Sequence, residues 1–420
     1  MNLSAVVLAV APLLAGDWPN WRGPANNGTA EGDAPLTWSD SQNVAWKTAI
    51  PGRGHSTPVI WGDRIFVTTA VPTTVAVGRR QVAEHKFLVM ALDRRTGKLL
   101  WEQTARVTTP HEGYHHMYGS FASNSPVTDG KHVYAFFGSR GLFCYDMDGK
   151  LVWSKDSPPM RMRLEFGEGS APVLAGDRLI LTFDFEGASF ISVLDKNSGK
   201  ELWRQDRDEQ SNWSQPLVVR VKGHDQVISP ATKRVRSYDL ETGKLIWECG
   251  GLGLNVIPAP VERDGVVYVM SGYRNPNMLA IKLGREGDLT GTDAVLWTNQ
   301  RGNSYTPSPV LDDGKLYFVS DNGQLSCIDV ATGKPHYLQQ RLPKPYNFKA
   351  SPVAAAGRLY LATEEGDVVV VKLGEKYEVI STNKLADQMF IASPIILDGS
   401  IYLRGQNTLF CIRESSRASR

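Results

Sequence analysis

The chain has 420 residues and a formal net charge of +2, from 46 Lys and Arg against 44 Asp and Glu. Near-balanced, scattered charge leaves no basic footprint for nucleic acid, and no apolar run reaches the roughly 20 residues that a membrane-spanning helix needs. The 39 Gly and 24 Pro suit many short strands joined by tight turns, and nothing in the chain suggests long helices.

The chain opens with an apolar run, Ala5 to Ala15, ahead of Gly16 and Asp17. It is too short to cross a bilayer and has the length of a signal-peptide core with small residues at its exit. Residues 1–16 are therefore expected to be a signal peptide, although no Lys or Arg precedes the run. A buried first strand is the competing assignment, but no repeat unit is left to pair with it. No Cys follows the run for lipid attachment. Residues 17–43 read as an N-terminal extension, 44–414 as a repeat body and 415–420 as a tail.

The body repeats one phrase. Ala91-Leu-Asp93-Arg-Arg-Thr-Gly97-Lys-Leu-Leu-Trp101 returns around Asp195, Gly199 and Trp203, and again around Asp239, Gly243 and Trp247. Looser copies end at Trp153 and run through Asp329 and Gly333. The Asp can accept the N–H groups of the turn that follows it, and the Gly closes that turn with φ > 0. The Trp lies on the return strand, where a large ring can pack on the neighbouring unit. Between these phrases a Pro, usually preceded by Ser or Ala, opens a strand at Pro58, Pro126, Pro172, Pro216, Pro260, Pro309, Pro352 and Pro394. A strand start is where its missing N–H does least harm. Each unit is a four-stranded meander of mostly about 42 to 50 residues, the size of one propeller blade.

Eight strand starts predict an all-β, eight-bladed propeller of four-stranded antiparallel blades. The last unit ends at Ile412 without its Trp strand, while Asn43-Val-Ala-Trp46 precedes the first unit. Pairing the two closes the ring and removes an exposed edge. Cys144, Cys327 and Cys411 occupy the repeat position held elsewhere by Ala91, Val193 and Ser237, so they read as small buried hydrophobes rather than disulfide partners or metal ligands. Cys249 has no evident mate.

The Asp-x-x-Thr-Gly-Lys-x-x-Trp units resemble the pyrroloquinoline-quinone (PQQ) type propeller repeats, found in quinoprotein dehydrogenases and in the outer-membrane assembly factor BamB. The opening Asp17-Trp-Pro-Asn-Trp-Arg-Gly-Pro24 and Pro51-Gly-Arg-Gly-His-Ser-Thr-Pro58 are similar to exported PQQ-like propellers of environmental bacteria. The repeat is the packing grammar of a blade and contains no cofactor ligand, so it speaks for fold more than for function.

In such a propeller the segments ahead of each Pro rim the central channel. Their candidate ligand-binding residues are His55, Asn124, Glu168, Trp213, Asn255, Tyr305, Phe348, Lys349 and Phe390. An aromatic, amide-bearing mouth suits a ligand; side chains plugging a narrow funnel are the alternative. The resemblance to dehydrogenases implies a quinone held flat on a Trp, usually with an adjacent-Cys disulfide on its other face, a Ca²⁺ on carboxylate and amide oxygens, and an Asp base. Trp213, Glu168 and Asn255 are of the right types, but their flanks do not match those motifs, and adjacent Cys and Cys-x-x-Cys-His are absent.

Three further stretches stand out. His111-Glu-Gly-Tyr-His-His116 holds metal-ligating types, yet its spacing matches no known metal motif and it reads as a solvated loop. Insertions at residues 70–86 and 282–293 read as solvated surface. Residues 161–166 read as an interblade connection.

The resulting expectation is a periplasmic or secreted monomer that binds envelope proteins or their peptide segments as a BamB-like scaffold, with no catalytic residues, no metal and no cofactor. PQQ with Ca²⁺ enters only if the chain is instead a quinoprotein oxidoreductase. A glycan or small-ligand binder is the third possibility.

Overall fold

The computed structural model describes residues 16–75 and 82–414. The signal-peptide run, residues 76–81 of the first insertion and the tail lie outside the described residues.

The Asp and Gly of each repeat act locally. Asp93 Oδ1 accepts the Thr96 N–H at 2.8 Å and its hydroxyl at 2.6 Å, and Asp195, Asp239 and Asp329 do the same with Ser198, Thr242 and Thr332. Gly97, Gly199, Gly243 and Gly333 all have φ near +70°. The turns fold each unit into an antiparallel sheet, and the described residues form eight such sheets. Blade one is Val59–Trp61, Arg64–Pro72, His85–Asp93 and Leu99–Thr108. Blades two to seven follow at residues 127–155, 173–206, 217–249, 261–299, 310–341 and 353–384.

Blade eight is made from both ends of the repeat body. Val44–Ala49 pairs antiparallel with Thr408–Arg413, with Trp46 opposite Cys411 and Ala49 opposite Thr408.

The Trp residues join blades as well as sheets. The indoles of Trp46, Trp101, Trp153, Trp203 and Trp297 donate at 2.8–3.1 Å to the carbonyls of Arg94, Met147, Lys196, Leu240 and Val330, each the residue after the turn Asp of the next blade. Each ring also covers that turn's glycine: a Cβ on Gly97 would lie 2.5 Å from Trp46, and one on Gly243 2.7 Å from Trp203. The glycine therefore serves both a positive φ and the close approach of the ring. Trp247 lacks this bond, and its buried Nε1 has no partner, because blade five has the 282–293 insertion where the turn would be.

That insertion is not merely solvated. Gly287–Asp288 adds a parallel fifth strand to the outer edge of blade four, opposite Trp247 and Glu248, and Leu289 is buried. The extension is also structured. Trp18 exchanges backbone bonds with Ile60 at 2.8 and 2.9 Å, and Thr29–Ala30 pairs in parallel with Val353–Ala355 on the inner edge of blade seven. All four Cys are buried and unbridged.

Candidate functional site

The channel mouth is built by the irregular segments that lead into the first strand of each blade. The third residue ahead of the Pro faces the central cavity in every blade: His55, Ser123, Gly169, Trp213, Ile257, Thr306, Lys349 and Ile391. The residue just ahead of the Pro does so in seven: Thr57, Ser125, Ala171, Gln215, Ser308, Ser351 and Ser393. The cavity they enclose is about 350 Å³.

Hydroxyls at that last position lace the blades together. The Thr57 N–H donates to Ser125 Oγ at 2.9 Å, Ala259 to Ser308 at 2.8 Å, Ser308 to Ser351 at 2.8 Å, Ser351 to Ser393 at 3.0 Å, and Ser393 back to Thr57 Oγ1 at 3.0 Å. The ring is interrupted where Ala171, Gln215 and Ala259 stand.

The extension closes the channel below this ring. Trp21 lines the cavity and donates to Gln215 Oε1. The Arg22 guanidinium behind it is fully buried and donates to the carbonyls of Pro309, Pro352 and Asn27. No carboxylate offsets it, and burial lowers its pKa to about 9.

A cover comes from the His-bearing loop. Arg53 donates to the carbonyls of His116 and Met117 at 3.2 and 2.7 Å, and His115 stacks on Tyr118 at 4.9 Å. From the far side of the mouth, Lys349 Nζ lies 4.5 Å from the Tyr118 ring. The loop thus spans the funnel instead of standing free in solvent. His111 is bonded to the Met160 carbonyl and Glu112 accepts the Met162 N–H. Phe166, at the end of the 161–166 connection, lines the wall.

The charges of the wall are paired. Glu168 accepts Arg140 Nη1 at 2.7 Å and both the N–H and the hydroxyl of Ser139 at 2.6 Å. Lys349 lies 2.9 Å from Asp321 and 3.4 Å from Glu364; burial opposes its charge, but the two carboxylates outweigh burial and raise its pKa. His55 is different. Its Nδ1 is 2.8 Å from the Tyr118 carbonyl, so Nδ1 carries the hydrogen and Nε2 a lone pair. Burial, reinforced by Arg53 and Arg404, pushes its pKa down to about 3.

A family model described as outer membrane protein assembly factor BamB matches residues 85–339, more than half of the chain. The chain belongs to this BamB family. The BamB of Yersinia pestis is 22% identical over 390 residues, covering 87% of each protein. Among solved structures, BamB from Moraxella catarrhalis superposes with a TM-score of 0.57 at 14% identity, over 90% of this chain and all of that one. A europium-containing methanol dehydrogenase gives 0.66 at 13% identity, over 94% of this chain and 90% of that one. These structural likenesses show the fold alone.

In this BamB-family propeller the residues expected at the rim divide. His55, Glu168, Trp213, Tyr305 and Lys349 line the cavity. Asn124, Asn255, Phe348 and Phe390 do not. Asn124 Nδ2 is turned to the Ser170 carbonyl at 2.7 Å, and Asn255 lies behind Tyr305, its amide 3.3 Å from that hydroxyl. Phe348 and Phe390 are fully buried in the blade cores, because each is one residue out of phase with the funnel-facing Lys349 and Ile391. The serine ring, Ile257 and Ile391 were missed, and counting back from the Pro by odd offsets would have found them. Trp21, His115 and Tyr118 carry no such periodic signal.

Proposed function

We propose that this protein is a non-catalytic scaffold of the cell envelope that holds extended segments of partner proteins, as the name of its BamB relatives says of outer-membrane assembly. The observation that carries the reading is the state of the outer blade edges. Leu99, Leu100, Leu151, Val152, Leu202, Leu245, Leu296 and Ile380 are exposed large apolar residues, all on outermost strands just ahead of the Trp position. Unpaired edges are templates for strand addition. The chain itself adds Gly287–Asp288 to one of them. The strand Leu99–Thr108, at ten residues, offers the longest template. Export rests on the apolar N-terminal run and on the family.

The quinone-dependent alternative has less support. A hard cation needs free oxygen ligands, but both Glu168 oxygens are engaged and Asp321 is held by Thr306 and Lys349. We therefore read the protein as having no resident cofactor. Among the described residues no cluster of three or more His, Cys, Asp and Glu is arranged to hold a metal, and no helix is long and apolar enough to cross a membrane.

Photo-crosslinkers at Leu100 and Leu202 in intact cells test the scaffold reading. Adducts with envelope proteins, lost on Leu100→Glu or Leu202→Glu, are expected. Adducts absent from both positions would sink it.

A further inference from the structure

The funnel has its charges spent and its neutral hydrogen-bonding capacity unspent. Lys349 is shared by Asp321 and Glu364, and both oxygens of Glu168 are engaged by Arg140 and Ser139. Arg22 and Arg404, the buried arginines without a carboxylate, stand behind the wall and donate to carbonyl and hydroxyl oxygens of the chain. In contrast, His55 is 7% exposed and its buried Nε2 has no partner. Thr57, Ser125, Ser308, Ser351 and Ser393 each accept a backbone N–H, and among the described residues none of these hydroxyls donates to a protein atom.

An orphaned buried acceptor costs stability, which a donor from a ligand would recover. The site thus asks for a molecule with O–H groups that give to His55 and oxygens that accept from the ring hydroxyls. An acidic ligand would need a free cation, and among the described residues the only Lys or Arg lining the cavity is the doubly paired Lys349. The walls supply flat apolar faces in Trp213, Phe166 and Tyr305, with Trp213 held in place by its indole bond to the Gly167 carbonyl at 2.7 Å. Aromatic rings of this kind pack well on the C–H face of a saturated ring while leaving its hydroxyls free. A volume of about 350 Å³ falls at the small end of ligand pockets, which run from about 300 to 1,000 Å³.

We propose that the central funnel is a binding site for a neutral hydroxylated ring of mono- or disaccharide size, seated on Trp213 with hydroxyls directed to His55 Nε2 and to the serine and threonine ring. The site is separate from the outer blade edges, so it stands whether or not those edges carry protein partners.

Calorimetric titration of the full chain with glucose, N-acetylglucosamine and maltose, followed in parallel by tryptophan fluorescence, tests it. Glucuronate and PQQ with Ca²⁺ serve as acidic probes. Saturable binding of at least one neutral sugar with a dissociation constant below about 10 mM is expected, weakened by about tenfold or more in Trp213→Ala and in His55→Asn. Thermal melts of both variants show that they fold, and His55→Asn keeps a donor for the Tyr118 carbonyl if the larger Trp213 change does not. No saturable binding of any neutral sugar overturns the proposal. So does tighter binding of glucuronate or PQQ, or sugar binding that both folded variants leave unchanged.

Discussion

The Trp46 indole donates to the Arg94 carbonyl at 3.1 Å, so a residue that precedes the first blade in sequence fastens the last blade onto the first. Its ring lies against Gly97, where an added Cβ would stand 2.5 Å from it. Gly97→Ala meets both a positive φ of 71° and that ring, and should cost about 2–4 kcal/mol in urea unfolding, the sum of backbone strain and overpacking. Gly265→Ala supplies the control: its φ is 76° but nothing lies within 4 Å of the new carbon, so only strain of about 1 kcal/mol is expected. Equal losses in the two variants would deny the ring its part in the seam.

Glu168 and Arg140 are both about 5% exposed and bonded at 2.7 Å. Removing one member of a buried pair leaves the other charge uncompensated, so Arg140→Met should destabilise by about 3–5 kcal/mol. Arg140→Met combined with Glu168→Met should recover a large part of that loss. A double-mutant cycle that comes out additive would mean that the two side chains do not act as a pair.

His55 sets a pH dependence with a definite sign. Its folded pKa is lowered from 6.5 to about 3, chiefly by burial. Between those values the unfolded chain binds the extra proton, so the stability this neutral imidazole contributes is complete above pH 6.5 and is lost as pH falls toward 3. The loss is of the order of a few kcal/mol over that window. Melting temperatures measured from pH 7.5 to 4 should fall more steeply for the native protein than for His55→Asn. Parallel curves would place the imidazole in a solvated setting.

Much of the ring was legible because its grammar is local. Asp93, Thr96 and Gly97 make their turn within a few residues, and the Trp46 strand could be assigned because one unit lacked a fourth strand. The funnel was legible only in part. Lys349 faces it and Phe348 does not, although they are neighbours in the irregular segment ahead of Val353. The plug was not legible at all: Arg22 finds its oxygens at Pro309 and Pro352, partners 287 and 330 residues away that no repeat announces. The His111–His116 loop misled for a similar reason. Its residue types suggest solvent or metal, whereas what places it is the reach of Arg53, His55 and Lys349 from two different blades.

The hydroxyl ring allows a prediction of gained stability. Five blades pass a backbone N–H to the serine or threonine of the next, and the circuit breaks where Ala171, Gln215 and Ala259 replace the hydroxyl. The Ser125 N–H should meet the hydroxyl of blade three, but Ala171 offers none. Ala171 is a small, buried residue in the repeat position that carries Ser or Thr in the five blades that accept the bond, so Ala171→Ser adds one oxygen at a place where the fold already accepts it. A neutral hydrogen bond of this kind contributes about 0.5–1.5 kcal/mol net, and a domain of this size should show it as a rise of a few degrees at most in melting temperature. Protection of the Ser125 amide from hydrogen exchange should rise with it. Ala259→Ser does the same for the Gln215 N–H, and because the two sites occupy different gaps of the ring their gains should add. A serine at either site that leaves amide protection unchanged, or that lowers stability, would mean that the ring spacing at that seam is too wide for the bond.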